Sequence, residues 1–152
     1  MSSVMLTGVP RLFIGAVLIA SALGKSLNLS GFVEVLATYH AFPEWALWPF
    51  ALLITGLEWS LGTWILWGRR LRQSALAALW LNLCYALWMT VTLVRGLELA
   101  NCGCFGVYFP RPLRWYSPIE DLVMAGMCYA LWRHAKKFPH PLTRFPNGRT
   151  RD

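Results

Sequence analysis

The chain has 152 residues, 57% of them hydrophobic and 14% charged, with nine tryptophans and a formal net charge of +7. Soluble proteins carry roughly 25% charged residues, so this composition excludes an ordinary soluble domain and points to an integral membrane protein. The basic residues flank apolar segments instead of forming an aromatic-interleaved patch, which argues against a nucleic-acid partner.

Four apolar segments predict an all-α fold, a membrane-embedded four-helix bundle over residues 1–135. The first span covers about residues 5–25, with Pro10 in its first turn, where a missing amide proton costs little, and Lys25 at its far end, able to reach the interface. No basic region precedes it and no small-residue cleavage site follows, so it is expected to be retained rather than removed as a signal peptide. Between the first and second spans, Phe32, Val35, Leu36 and Tyr39 recur at i, i+3, i+4 and i+7. This spacing predicts a short interfacial helix with Ser30 as its N-cap.

The second span, about residues 45–67, is bracketed by Trp45 and Trp67, residues suited to headgroup depth, and encloses a single charge, Glu58. The third, about residues 74–95, is free of charge up to Arg95. The fourth, about residues 117–133, is the shortest and opens on Ser117-Pro118, with Glu120 and Asp121 in the first turn, where the helix dipole favours acids. Residues 136–152 form a basic, proline-containing tail without periodicity, expected to be a loosely ordered cytoplasmic arm.

Counting lysines and arginines sets the expected orientation. With both termini inside, ten basic residues face the cytoplasm and four (Lys25, Arg95, Arg111 and Arg114) face the other side. The positive-inside rule therefore favours N-in, C-in. It also places the loop LANCGCFGVYF, between spans three and four, on the side where disulfides persist.

Cys102 and Cys104 in that loop are separated by Gly103 alone. A disulfide across one residue departs from relaxed geometry, and strained bridges are the reducible ones. Gly103 permits the backbone angles such a ring needs, and the four basic residues expected on the same side favour a thiolate. Three readings stay open: a redox pair, half of a metal site, or two thiols filling a turn. A metal site needs further ligands at the same place, and apart from His40 none is evident. Cys84 and Cys128 fall at similar depth in spans three and four, which permits a second thiol pair, although a buried cysteine also serves as a small hydrophobe. Glu58 lies near mid-membrane, where an ionisable group marks function by default; the alternative is a carboxyl holding helices together through Asn82 or Thr55.

Gly15 and Lys25 ten residues apart, Glu58-x-x-x-Gly62, and the run Cys102-Gly103-Cys104-Phe105-Gly106 after the third span together resemble the MauE family of methylamine-utilisation membrane proteins, within the wider DoxX-like group. The resemblance covers about Arg11 to Trp132. Two positions depart from the family pattern: Ala22 stands where a glycine is usual, with Gly24 nearby, and Glu120 and Asp121 replace a basic residue and asparagine.

The resemblance implies a multi-pass protein of the bacterial inner membrane tied to periplasmic thiol chemistry. The CGC pair would exchange disulfides with a thioredoxin-like protein and so support maturation of a disulfide-containing periplasmic enzyme. Cys102 and Cys104 would be catalytic, with Lys25, Glu58, Gly103, Phe105 and Gly106 in support. A quinone in the bilayer would accept the electrons, the tryptophan-rich spans supplying its pocket. Two other functions compete: a non-catalytic membrane subunit or assembly chaperone whose CGC bridge pins a docking loop, and metal handling through that loop.

Overall fold

A computed structural model describes residues 3–135, with side chains from Gly8 onward. The expected basic tail, residues 136–152, lies outside the described residues. The fold is all-α: α1 (Ser3–Leu27), α2 (Leu29–Ala37), α3 (Glu44–Trp67), α4 (Leu71–Val94) and α5 (Ser117–Ala135). Three segments are long and apolar enough to cross a membrane: Gly8–Leu27, Glu44–Trp67 and Leu71–Val94. α5, with 19 residues, falls below that measure of apolarity. The helices turn many large apolar side chains outward, among them Trp45, Trp67 and Trp80. That surface is compatible with lipid and not with water.

Gly68 ends α3 in the left-handed conformation (φ 76°), its amide donating to the carbonyls of Trp64 and Ile65. Arg70 (φ 52°) starts α4 after only three intervening residues. The Trp64 indole donates to the Arg69 carbonyl at 2.7 Å and closes this turn. Near it, the four long helices share one core: Ile14 and Leu18 from α1, Leu61 and Ile65 from α3, Ala75 and Ala78 from α4, and Cys128 and Leu131 from α5. α1 and α3 come close because Gly15 faces Gly62; a Cβ on Gly15 would lie 3.3 Å from the Gly62 carbonyl oxygen and closer still to Leu66. Small residues at such crossings let backbones approach.

The other end is built differently. α3 leans on α1 and α4 leans on α5, whereas α3 and α4 touch sparingly. The space between the two pairs is roofed by α2 and by the loop from α4 to α5. α2 is not capped by Ser30: its N-cap is Asn28, whose side chain accepts from the Gly31 amide at 2.9 Å. Asparagine stands at the first non-helical position and Ser30 is already inside the helix, donating to the Asn28 side chain at 3.0 Å. The expected apolar face exists, but it rests on protein: Phe32, Val33 and Leu36 pack against Leu47 and Ala51 of α3.

Candidate functional site

The loop from Arg95 to Tyr116 is held on both sides of the two cysteines. The Cys102 amide donates to the Arg111 carbonyl at 2.7 Å, and the Leu113 amide to the Leu99 carbonyl at 2.9 Å, so the returning limb pairs with the outgoing one. The Tyr39 hydroxyl donates to the Cys102 carbonyl at 2.8 Å. Asn101 braces the turn from inside: its Oδ1 accepts from the Gly103 amide at 2.9 Å, and its Nδ2 donates to the Gly106 carbonyl at 3.1 Å. Asparagine satisfies the backbone two residues on as an Asx turn does. Gly103 and Gly106 both have left-handed φ angles, 75° and 73°.

The loop does not stay at the surface, as its position between two spans had suggested. Gly106 is pressed onto the backbone of Gly24 in α1: a Cβ on Gly24 would strike the Phe105 carbonyl, and one on Gly106 would strike the Gly24 carbonyl. Glycine at both positions lets the loop descend against α1. The departure of Gly24 from the resembled pattern therefore has a physical role.

At the bottom of this descent the Cys104 carbonyl meets Lys25. The Lys25 ammonium donates to the Cys104 carbonyl at 2.9 Å, to Ser21 Oγ at 2.6 Å, and to both Glu58 oxygens at 2.8 Å. Ser21 Oγ lies 2.5 Å from the same carbonyl and 3.0 Å from Glu58 Oε1. The Tyr85 hydroxyl donates to Glu58 Oε1 at 2.8 Å. Lys25 is 3% exposed and Glu58 1%.

Lys25 is thus not an interfacial anchor, because its ammonium finds a carboxylate inside the bundle at less cost than it would find water outside. Nor does Glu58 hold the helices through Asn82 or Thr55: the Asn82 amide donates to the Ala78 carbonyl and the Thr55 hydroxyl to the Ala51 carbonyl, each within its own helix. Glu58 bridges α1 and α4 instead, and through Lys25 it reaches the loop.

The four cysteines are free thiols. Cys102 and Cys104 sit together, the Cys104 amide lying 3.4 Å from Cys102 Sγ. The Cys102 thiol is lowered to about 7, chiefly because the Cys104 thiol donates to it. Burial opposes this shift; the Cys104 amide, Arg111 and Lys25 reinforce it. Cys104 is pushed up strongly, by keeping the shared proton and by burial. The pair is therefore asymmetric: Cys102 carries the nucleophilic thiolate and Cys104 the proton. Arg111 is held over the site by an exposed ion pair with Glu120 at 2.8 Å.

Cys84 and Cys128 are not brought into one site. Cys84 lines the cavity between the helix pairs, while Cys128 is fully buried in the core beside Ile14 and Leu18. Helical phase explains this: equal depth does not put two side chains on facing sides. Among the described residues no group of three or more histidines, cysteines or acids is placed to hold a metal. Ser21, Tyr39, Tyr85, Asn101 and Asp121 were not singled out from the sequence. Only Asn101, directly before the CGC run, carried a local signal for its turn role.

Both CGC thiols, Lys25, Glu58, Tyr85 and Asp121 line one cavity of about 540 Å³, whose remaining walls are mostly apolar. A family model described as methylamine utilisation protein MauE matches residues 3–134. Methylamine utilization protein MauE of Paracoccus denitrificans is 25% identical over 121 residues, 80% of this chain and 65% of the relative. Its namesake in Methylorubrum extorquens is 24% identical over 105 residues, 69% of this chain and 56% of the relative. The chain therefore spans less than two thirds of either relative's own length. No solved structure gives a significant match.

Proposed function

The chain belongs to the MauE family, and from that premise we propose that it is a membrane thiol–disulfide exchange protein serving methylamine utilisation, with Cys102 and Cys104 as its working pair. The observation that carries this reading is the asymmetry of the two thiols. Cys102 is held near neutrality by donors from Cys104 and by Arg111, while Cys104 keeps its proton at the edge of the buried Lys25–Glu58 pair.

The exchange runs in two steps. The Cys102 thiolate attacks one sulfur of a partner disulfide; a Cys102–partner bond forms and the partner's second sulfur leaves as a thiolate. Cys104 then gives up its proton and attacks Cys102 Sγ, so that the Cys102–Cys104 bond forms and the partner departs as a dithiol. Read backwards, the same steps oxidise a partner. Lys25 and Ser21 hold the Cys104 carbonyl, fixing the turn so that the second sulfur stays within reach of the first.

In this reading all four long helices cross the bilayer. α5, at about 1.5 Å per residue, is about 28 Å long, close to the hydrocarbon thickness of about 30 Å, and it packs along α4 and α1. The excess of Lys and Arg at the chain ends and between α3 and α4 supports an N-in, C-in arrangement in the inner membrane. That arrangement turns the loop toward the periplasm and a soluble thioredoxin-like partner, whose own target is an enzyme that needs its disulfides made.

Trapping tests this. In a Cys104→Ser chain, Cys102 can form the mixed disulfide but nothing resolves it, so a periplasmic partner accumulates as an adduct that thiol reductants release. The absence of any adduct, in a host whose methylamine growth still depends on Cys102, would overturn the exchange mechanism. Normal growth with both cysteines replaced by alanine would favour a docking loop instead.

A further inference from the structure

The cavity beneath the CGC turn is larger than disulfide exchange requires, and its position and walls say what enters it. We propose that it binds a lipid-soluble quinone that reoxidises the Cys102–Cys104 pair; this rests on the exchange reading above and supplies its electron acceptor. At about 540 Å³ the cavity lies within the range of sites that enclose small molecules, about 300–1,000 Å³. Its wall includes Phe13 and Leu57, which are also exposed on the outer apolar surface, so its mouth opens sideways among lipid-facing side chains and not only toward water. The sparing contact between α3 and α4 leaves room there for a long apolar tail.

The polar groups on the wall match a quinone ring and little else that dissolves in hydrocarbon. The Tyr85 hydroxyl and the Lys25 ammonium are donors for a carbonyl oxygen. Asp121 Oδ2 is buried without a hydrogen-bond partner among the described residues, on the same cavity wall as the thiols. An acyl chain offers such a carboxyl oxygen nothing, whereas a hydroxyquinol or a thiol proton in transit satisfies it. Both CGC thiols line the same space, so the ring and the sulfurs share one enclosure.

The reaction balances without a further reagent. Cys102 and Cys104 lose two electrons and two protons as the S–S bond forms. The quinone gains two electrons and two protons and leaves as a quinol. Asp121 Oδ2 receives the Cys104 proton on its way to a quinone oxygen, and the deprotonated Cys104 sulfur closes the bond.

The test uses the full chain in lipid nanodiscs, reduced and freed of reductant, mixed with a decyl-substituted benzoquinone. The expected result is one quinol formed per protein together with loss of both free CGC thiols. Leu57→Trp, which fills the mouth, should slow this oxidation at least about tenfold. Because that variant can fail to fold, binding is read separately: an azido-quinone should label the cavity walls of the Cys102→Ser/Cys104→Ser chain and be displaced by excess decyl-quinone. If the reduced wild-type chain exchanges with glutathione disulfide but forms no quinol, the quinone site is overturned and the exchange reading stands. If it does neither, both fall. Labelling displaced by phospholipid alone, with no quinol formed, makes the cavity a lipid site and also overturns the proposal.

Discussion

The Lys25 ammonium and the Glu58 carboxylate, 33 residues apart in the chain, meet at 2.8 Å on both carboxylate oxygens in a setting that is almost fully buried. Each charge is tolerable only because of the other. Lys25 also reaches the Cys104 carbonyl, so the pair couples two transmembrane helices to the backbone of the thiol turn.

Removing one charge strands the other. Lys25→Met or Glu58→Leu should each destabilise the protein by about 3–5 kcal/mol, and the double substitution should recover much of that loss. Thermal unfolding in detergent measures it. Single variants that melt with the wild type would mean that the charges are not paired.

Alkylation of Cys102 should rise through a midpoint near pH 7, while Cys104 stays unreactive, as peptide-resolved maleimide labelling would report. The sign for stability follows. A thiol lowered in the folded protein contributes stability that is present above its unfolded value, about 8.5, and is lost as pH falls through about 7. Since the Cys104 thiol is the largest cause of the lowering, Cys104→Ala should move the Cys102 midpoint up toward the ordinary thiol range. An unmoved midpoint would assign the effect to Arg111 and Lys25 instead.

Gly24→Ala and Gly106→Ala each place a methyl group against backbone, which cannot swing aside. Overpacking of this kind costs typically about 1–3 kcal/mol, and it should unseat the loop, so that Cys104 becomes open to a bulky maleimide. Gly56→Ala meets nothing within 4 Å and should stay within about 0.5 kcal/mol of wild type. Equal behaviour of all three would argue against the close approach of loop and α1.

Asn101→Ala removes two hydrogen bonds to the turn and leaves the Gly103 amide unsatisfied. A loss of about 1–3 kcal/mol is expected, with faster hydrogen exchange at Gly103 as the local signature. Unchanged exchange there would show that the turn is held by Tyr39 and Arg111 alone.

Much of the fold was legible in the chain because apolar runs and helix periods are local signals. The bounds of α3 follow from Trp45, Trp67 and Gly68, and the CGC turn was recognisable from five consecutive residues. What the chain concealed is long-range. Lys25 has the same local pattern whether it reaches outward to headgroups or inward to Glu58, and only the packing of α1 on α3 decides. Ser30 and Asn28 are both good caps, and one register step separates them. Cys84 and Cys128 share a depth but not a facing side, a distinction that depends on the rotation of α4 and α5. Gly24 looked like a displaced motif residue until the loop lay against it.

The seat of the thiol turn also carries a schedule. Ser21, Lys25 and Glu58 all precede the turn in the chain and lie on α1 and α3, which pack on each other directly. Segments made first fold first during synthesis, so the two charges can neutralise one another while Cys102 is still unmade. The turn then arrives at a finished receptor, and α5 closes the enclosure last. Thiol chemistry is in this way withheld from the nascent protein until its biogenesis is complete, and a chain stalled before α5 would carry the cysteines without the chamber that governs them.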